Sequence, residues 1–187
     1  MRDMESILAG MNRDLNKYFP SHREVVDPFF ASALSAMEEP SFAETTAERS
    51  EAYRFLWIPS FRHPIVVRVD RVGNGGTLVG KVSSGPAGYE PAQLKQNKHR
   101  ALSAGEFAEV TAGLKVARFW SLGPTTDWQG LDGEFWMLEG HRNASRIPRL
   151  WARRAHHVVV RWSPRRDSGD APFRQACERL ITRGAGR

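Results

Sequence analysis

Ile65-Val66-Val67-Arg68-Val69-Asp70-Arg71-Val72-Gly73-Asn74-Gly75-Gly76-Thr77-Leu78-Val79-Gly80-Lys81-Val82 is the stretch that decides the fold class. Before the glycines, apolar residues alternate with Arg68 and Asp70, the period of a strand with two different faces. Asn-Gly follows, and a second apolar run resumes at Thr77. Asn and Gly both accept positive φ, so this order predicts two antiparallel strands, Ile65 to Val72 and Thr77 to Val82, joined by a tight turn.

The same residues pose a rival reading. Gly75-Gly76-Thr77-Leu78-Val79-Gly80-Lys81 fills the first seven positions of a phosphate-binding P-loop. That chemistry needs Ser or Thr next, to hold Mg²⁺, and then a helix whose N-terminus faces the phosphates. Val82 stands there instead, and Ser83-Ser84-Gly85-Pro86 cannot open a long helix. The hairpin is the better reading. It makes Lys81 an ordinary surface residue, whose replacement by Ala should change stability by no more than about 0.5 kcal/mol.

Outward from the hairpin, Tyr53 to Ile58, Gln93 to Ala101, Phe135 to Glu139 and His156 to Trp162 read as further strands. Met4, Ile7, Leu8, Met11, Leu15, Tyr18 and Phe19 share one helical face, closed by Pro20. A second helix is predicted from Glu24 to Glu39, with Val26, Phe29, Phe30, Ala33, Leu34 and Met37 inward and Pro28 in its first turn. Ser103-Ala104-Gly105-Glu106 has the form of a capping box and opens a helix carrying Phe107, Val110, Leu114 and Ala117, ending near Phe119-Trp120. Pro172 fits the start of a last helix, with Phe173, Cys177, Leu180 and Ile181 on its inner face. The expectation is one α+β domain over residues 1–187. It has a mostly antiparallel sheet of five or six strands, two N-terminal helices, one central helix and one C-terminal helix. Residues 1–40 form an N-terminal helical extension packed on it.

An apolar share of 41% and six tryptophans can supply a core for 187 residues. The single cysteine, Cys177, leaves no internal disulfide and fits a reducing compartment. No apolar run approaches a membrane span, and the charged start Met1-Arg2-Asp3-Met4-Glu5 does not resemble a signal peptide. A cytoplasmic location is expected. The formal charge of +6 is unevenly spread: from Gly140 onward twelve arginines and no lysine face three carboxylates, whereas through Ser60 ten acidic residues outnumber six basic ones. Such polarity suits a basic face that meets phosphate or an acidic protein surface.

Chemistry-bearing residues do not assemble into a catalytic set. His156 and His157 are adjacent on a strand, so they point to opposite faces and cannot readily chelate one ion. His22, His63, His99 and His141 lie apart and read as scattered surface residues. Glu134 and Glu139 also fall on opposite strand faces, and Asp132-Gly133 reads as a turn. Cys177 is placed as an inert packed thiol. No catalytic residue, metal ligand or cofactor is expected.

The remaining feature is the overlong connection between the strands ending near Glu139 and beginning at His156. Its Arg142, Arg146, Arg149, Arg153 and Arg154, with Trp151 as apolar anchor, are the expected partner-binding residues. Arg and Trp are enriched at interface hot spots, and the same mixture can stack on nucleic acid.

Gly130-Leu131-Asp132-Gly133-Glu134-Phe135-Trp136-Met137-Leu138-Glu139-Gly140, Val160-Arg161-Trp162-Ser163-Pro164, and Phe173-Arg174 with Cys177-Glu178-Arg179-Leu180 resemble a group of small uncharacterised bacterial proteins. These share a Gly-Leu-Asp-Gly-x-x-Trp-x-Leu-Glu-Gly pattern, a strand ending Arg-Trp-Ser-Pro and a closing helix. The resemblance covers most of the chain after Tyr53 and implies no activity or site residue. The arginine-rich insertion and the two helices before Pro40 are additions to that pattern, and additions to a shared scaffold are natural places for a specific partner.

Two functions fit these observations. The first is a non-catalytic protein-binding module, such as an immunity-type inhibitor that neutralises a partner toxin with an acidic surface. The second is a nucleic-acid-binding module using the same arginines; an unrecognised enzyme comes third.

Overall fold

The computed structural model describes residues 4–23, 26–43, 51–84, 93–125, 132–142 and 156–184. Their elements run α1 (Met4–Tyr18), α2 (Pro28–Ala36), β1 (Glu51–Pro59), β2 (Ile65–Val72), β3 (Gly75–Ser83), β4 (Leu94–Leu102), α3 (Ala104–Val116), a 3₁₀ turn (Phe119–Ser121), β5 (Glu134–Arg142), β6 (His156–Trp162) and α4 (Ala171–Gly184). The strands form one antiparallel sheet in the order β4-β3-β2-β1-β5-β6. This is the expected α+β architecture, with six strands among the described residues. None of the described helices is long and apolar enough to cross a membrane.

The sheet is covered on both faces, so β1 at its centre is buried almost continuously rather than in alternation. On one face Phe55, Val67, Val69, Leu78, Leu138 and Val159 pack against Phe107, Val110 and Leu114 of α3 and Phe173, Cys177 and Leu180 of α4. On the other, Leu56, Ile58, Val66, Met137 and Val158 meet Leu15, Tyr18 and Phe19 from the α1 side and Phe30, Leu34 and Met37 from the α2 side. The N-terminal helices therefore close half of the core. Cys177 is fully buried, and burial raises its thiol pKa well above the usual value.

Local chemistry explains most boundaries. Ser103 accepts from the Glu106 backbone N–H while the Glu106 carboxylate accepts from Ser103, so the capping box forms as predicted. The second helix starts later than Glu24. Asp27 caps it, accepting from Phe29 N at 2.8 Å, and Pro28 supplies a first position that lacks an N–H. It ends in a Schellman arrangement, with Glu38 N donating to Ser35 O and Glu39 N to Leu34 O. The left-handed position there is Glu38, at φ +53°, where glycine is usual.

The hairpin turn also differs by one residue from expectation. Val72 pairs with Gly75, so the loop residues are Gly73 and Asn74, with Gly73 at φ +57°. Glycine at the first loop position is one of the standard two-residue hairpin solutions. Gly75 and Gly76 are instead needed for close approach. A Cβ on Gly75 would lie 2.3 Å from Leu102 O, and one on Gly76 2.7 Å from Asp70 O. The segment that matched a P-loop is thus a continuous strand.

Candidate functional site

Of the predicted partner-binding residues, Arg142 is described, as the last residue of β5. Arg146, Arg149, Trp151, Arg153 and Arg154 lie outside the described residues. His141 pairs with His156 and Arg142 with Glu51, so the arginine-rich sequence connects β5 and β6 at the end of the sheet where β1 begins.

Arg142 does not stand alone. Its guanidinium lies over the Trp120 ring, 4.1 Å from the centroid. Trp120 in turn contacts Phe119 (5.1 Å between centroids), stacks with His157 (6.0 Å, 29°) and meets Tyr53 edge-on (6.2 Å). The missing side chain of Gly140 makes this possible, because a Cβ there would come within 2.5 Å of Phe119 Cε1 and 3.2 Å of Trp120 Cζ2. Beneath the rings, the Tyr53 hydroxyl donates to Glu51 Oε1 at 2.7 Å, and Arg71 Nη1 donates to Glu51 Oε2 at 2.8 Å. Burial, reinforced by Glu51, pushes the Tyr53 pKa up and keeps the phenol neutral.

An open cavity of about 330 Å³ adjoins this cluster, lined by Tyr53, Leu114, Lys115, Arg118, Phe119 and Trp120 among others. Arg118 holds a left-handed backbone (φ +52°) just past α3, and both Arg118 and Lys115 are exposed. Lys115 and Arg118 thus rim the cavity, while Arg71 is paired with Glu51 and Arg142 lies opposite Glu51 in the sheet, all about one aromatic floor. Such a surface can take a partner's carboxylate and apolar side chains together.

A second concentration of charge lies on the opposite sheet face, under the N-terminal helices. Arg54, fully buried, donates through Nε to Glu139 Oε2 at 2.9 Å, and its Nη2 contacts the same oxygen. Arg54 Nη1, Arg68 Nε and Lys81 Nζ reach the Glu39 carboxylate at 3.4, 2.9 and 3.0 Å. Lys81 Nζ also donates to Met37 O and Glu38 O, each at 2.8 Å, while Arg68 contacts Asp70. Burial would raise the Glu139 pKa, but the Arg54 charge and the His156 hydrogen bond outweigh it and hold the carboxyl below its usual range.

Two expectations are corrected here. Lys81 is not a surface residue, because its side chain is 5% exposed and anchors a turn. His22 is not a scattered surface histidine: its ring meets that of His156 edge-on at 4.9 Å, and His156 Nε2 in turn lies 2.7 Å from Glu139 Oε1. Burial lowers the His22 pKa to about 4, with His156 and His157 adding to the effect. Strand parity does separate the paired residues as expected. His156 faces Glu139 while His157 faces Trp120, and Glu134 accepts from Trp57 Nε1 at 2.7 Å on the face away from Glu139. Among the described residues no three His, Cys, Asp or Glu side chains converge as a metal-ligand set.

The buried charges had a sequence signal that composition alone hides. Arg54, Arg68 and Glu139 sit in phase with Leu56, Val66 and Met137, the apolar positions of their strands. Ionisable residues in register with a core are buried pairs once both faces of the sheet are covered. Trp120, by contrast, carried no mark of its own, since the ring is positioned by a left-handed turn and by Gly140. No protein-family model matches this chain, and no curated protein matches it.

Proposed function

We propose that this chain is a non-catalytic protein-binding module whose basic-aromatic surface, at the Arg142 end of β5, receives an acidic partner. An immunity-type inhibitor of a toxin is the specific form of this reading. The observation that carries it is the Arg142–Trp120 stack beside the cavity rimmed by Lys115 and Arg118. The ring holds the guanidinium in place, which lowers the entropy lost on binding a carboxylate. The arginine-rich sequence containing Trp151 begins directly after Arg142, and its arginines are further candidates for complementing an acidic partner.

Nucleic-acid binding is the second reading, favoured by the exposed Lys95, Lys98 and Arg100 on the edge strand β4. Such residues also blunt an edge strand against unwanted pairing, which accounts for them without a ligand.

Capture from a nuclease-treated host extract at two salt concentrations tests the proposal, with the wild type beside Arg118→Glu/Arg142→Glu. The expected result is one acidic protein retained by the wild type and lost from the variant. Equal capture by both would overturn the assignment. Nucleic acid recovered from untreated extract, with steep loss on adding salt, would favour the second reading.

A further inference from the structure

We infer that Arg54, Arg68 and Lys81 form an oxyanion-binding site on the sheet face, for which Glu39 is an internal ligand carried on a displaceable turn. Three adjacent strands each contribute one cation, and all three reach the same carboxylate within 3.4 Å. The sheet supplies its own counter-charges to two of them, Glu139 for Arg54 and Asp70 for Arg68. Lys81 differs. Its contacts among the described residues, Met37 O, Glu38 O and Glu39, all belong to the turn after α2. With the turn withdrawn, the sheet presents an excess positive charge and a set of N–H donors facing one point. That is the chemistry of a site for a carboxylate or phosphate.

The turn also has the character of a latch. Besides the Glu39 ion pairs and the Lys81 bonds, Tyr18 OH donates to Glu39 O at 2.6 Å and Arg54 Nη1 to Pro40 O at 2.7 Å, and the buried Met37 and Phe42 anchor the segment on either side of the Glu38–Ser41 stretch that would lift. Burial pushes the Tyr18 pKa up to about 12, so that donor persists across the neutral range. Against these contacts stands the left-handed Glu38, a conformation that disfavours a residue with a Cβ. Strain at the residue immediately before the internal ligand lowers the free energy needed to lift it. A competing oxyanion captures the lifted state, since a ligand that binds only one of two states shifts the population toward it.

Two measurements on the full chain test this. The first follows amide exchange of Met37, Glu38 and Glu39, whose N–H groups bond to Ala33, Ser35 and Leu34 carbonyls. In ~0.2 M acetate or phosphate, exchange of these amides should run roughly threefold or more faster than in chloride of equal ionic strength, with α3 and α4 unaffected. Equal exchange in all three salts overturns the proposal. The second is thermal unfolding of Glu39→Ala, in which acetate should raise Tm saturably above the chloride control, and Glu39→Ala/Lys81→Ala should lose that response. A response that survives loss of Lys81 places the anion elsewhere and overturns the site. Should Glu39→Ala not fold in any salt, the wild-type exchange decides. Acetate and phosphate separate the two sources of oxyanion: a larger effect of acetate points to a protein carboxylate, and of phosphate to a phosphorylated ligand.

Discussion

Replacing Arg54 by Met should cost about 4 kcal/mol, close to the loss expected when one partner of a buried ion pair is removed. The guanidinium makes two contacts to Glu139, one to Pro40 O and one to Glu39, and lies over the Phe42 ring at 4.4 Å. Methionine refills much of the volume, so the loss is electrostatic: Glu139, fully buried, keeps only the 2.7 Å contact with His156. Glu139→Met alone should cost a similar amount, because it takes from the buried Arg54 its nearest counter-charge and leaves only Pro40 O and the longer Glu39 contact as polar partners among the described residues. The double variant strands neither charge, so it should cost far less than either single change and nowhere near the additive ~8 kcal/mol, a coupling far outside the roughly 0.5 kcal/mol scatter of independent sites. Urea unfolding followed by far-ultraviolet circular dichroism gives each value, provided the m-value stays constant. Single variants within 1 kcal/mol of wild type, or additive costs, would refute the claim that this pair is dry and mutually dependent.

Further expectations follow from the same contacts. Lys81→Ala removes two charge-assisted hydrogen bonds and an ion pair from a buried site, so it should cost about 3 kcal/mol by the same assay; a loss under 0.5 kcal/mol would restore the surface reading. Glu38→Gly relieves a left-handed Cβ at an exposed helix terminus and should raise stability by about 0.5–1 kcal/mol, seen as a higher Tm. His22 binds a proton near pH 6.5 when unfolded but near 4 when native, so the unfolded state holds more protons between these values and stability falls as pH drops through that window. Glu139, with its pKa depressed, adds a loss of the same sign at lower pH. Unfolding curves from pH 7 to 4 should show the decline, and His22→Gln should flatten its upper part; an unchanged slope would contradict the burial of a neutral imidazole.

The sheet and helices were legible because period-two and period-3.6 patterns, Pro28, the Ser103–Glu106 box and the Gly73–Gly76 turn all act locally. What escaped is non-local. Lys81 looked exposed because a lone lysine on a strand usually is, and only the return of residues 37–39 over β3 buries it. The pattern showed that Glu139 and Glu134 diverge, but not that Arg54 arrives from the neighbouring strand, since pairing register is set by the whole sheet. Arg142 was singled out by composition as a candidate. Its partner Trp120 was not, because their meeting depends on Gly140 leaving room for two rings.

The most direct measurement of the proposed binding role is a hydrogen-exchange footprint of this chain, free and bound to the protein it captures. Protection gained on binding should concentrate at Arg118–Leu122, at the His141–Arg142 end of β5 and in the arginine-rich segment that follows. Protection confined to β4 or to the α1–α2 side, with none around Trp120, would contradict the assignment of this surface.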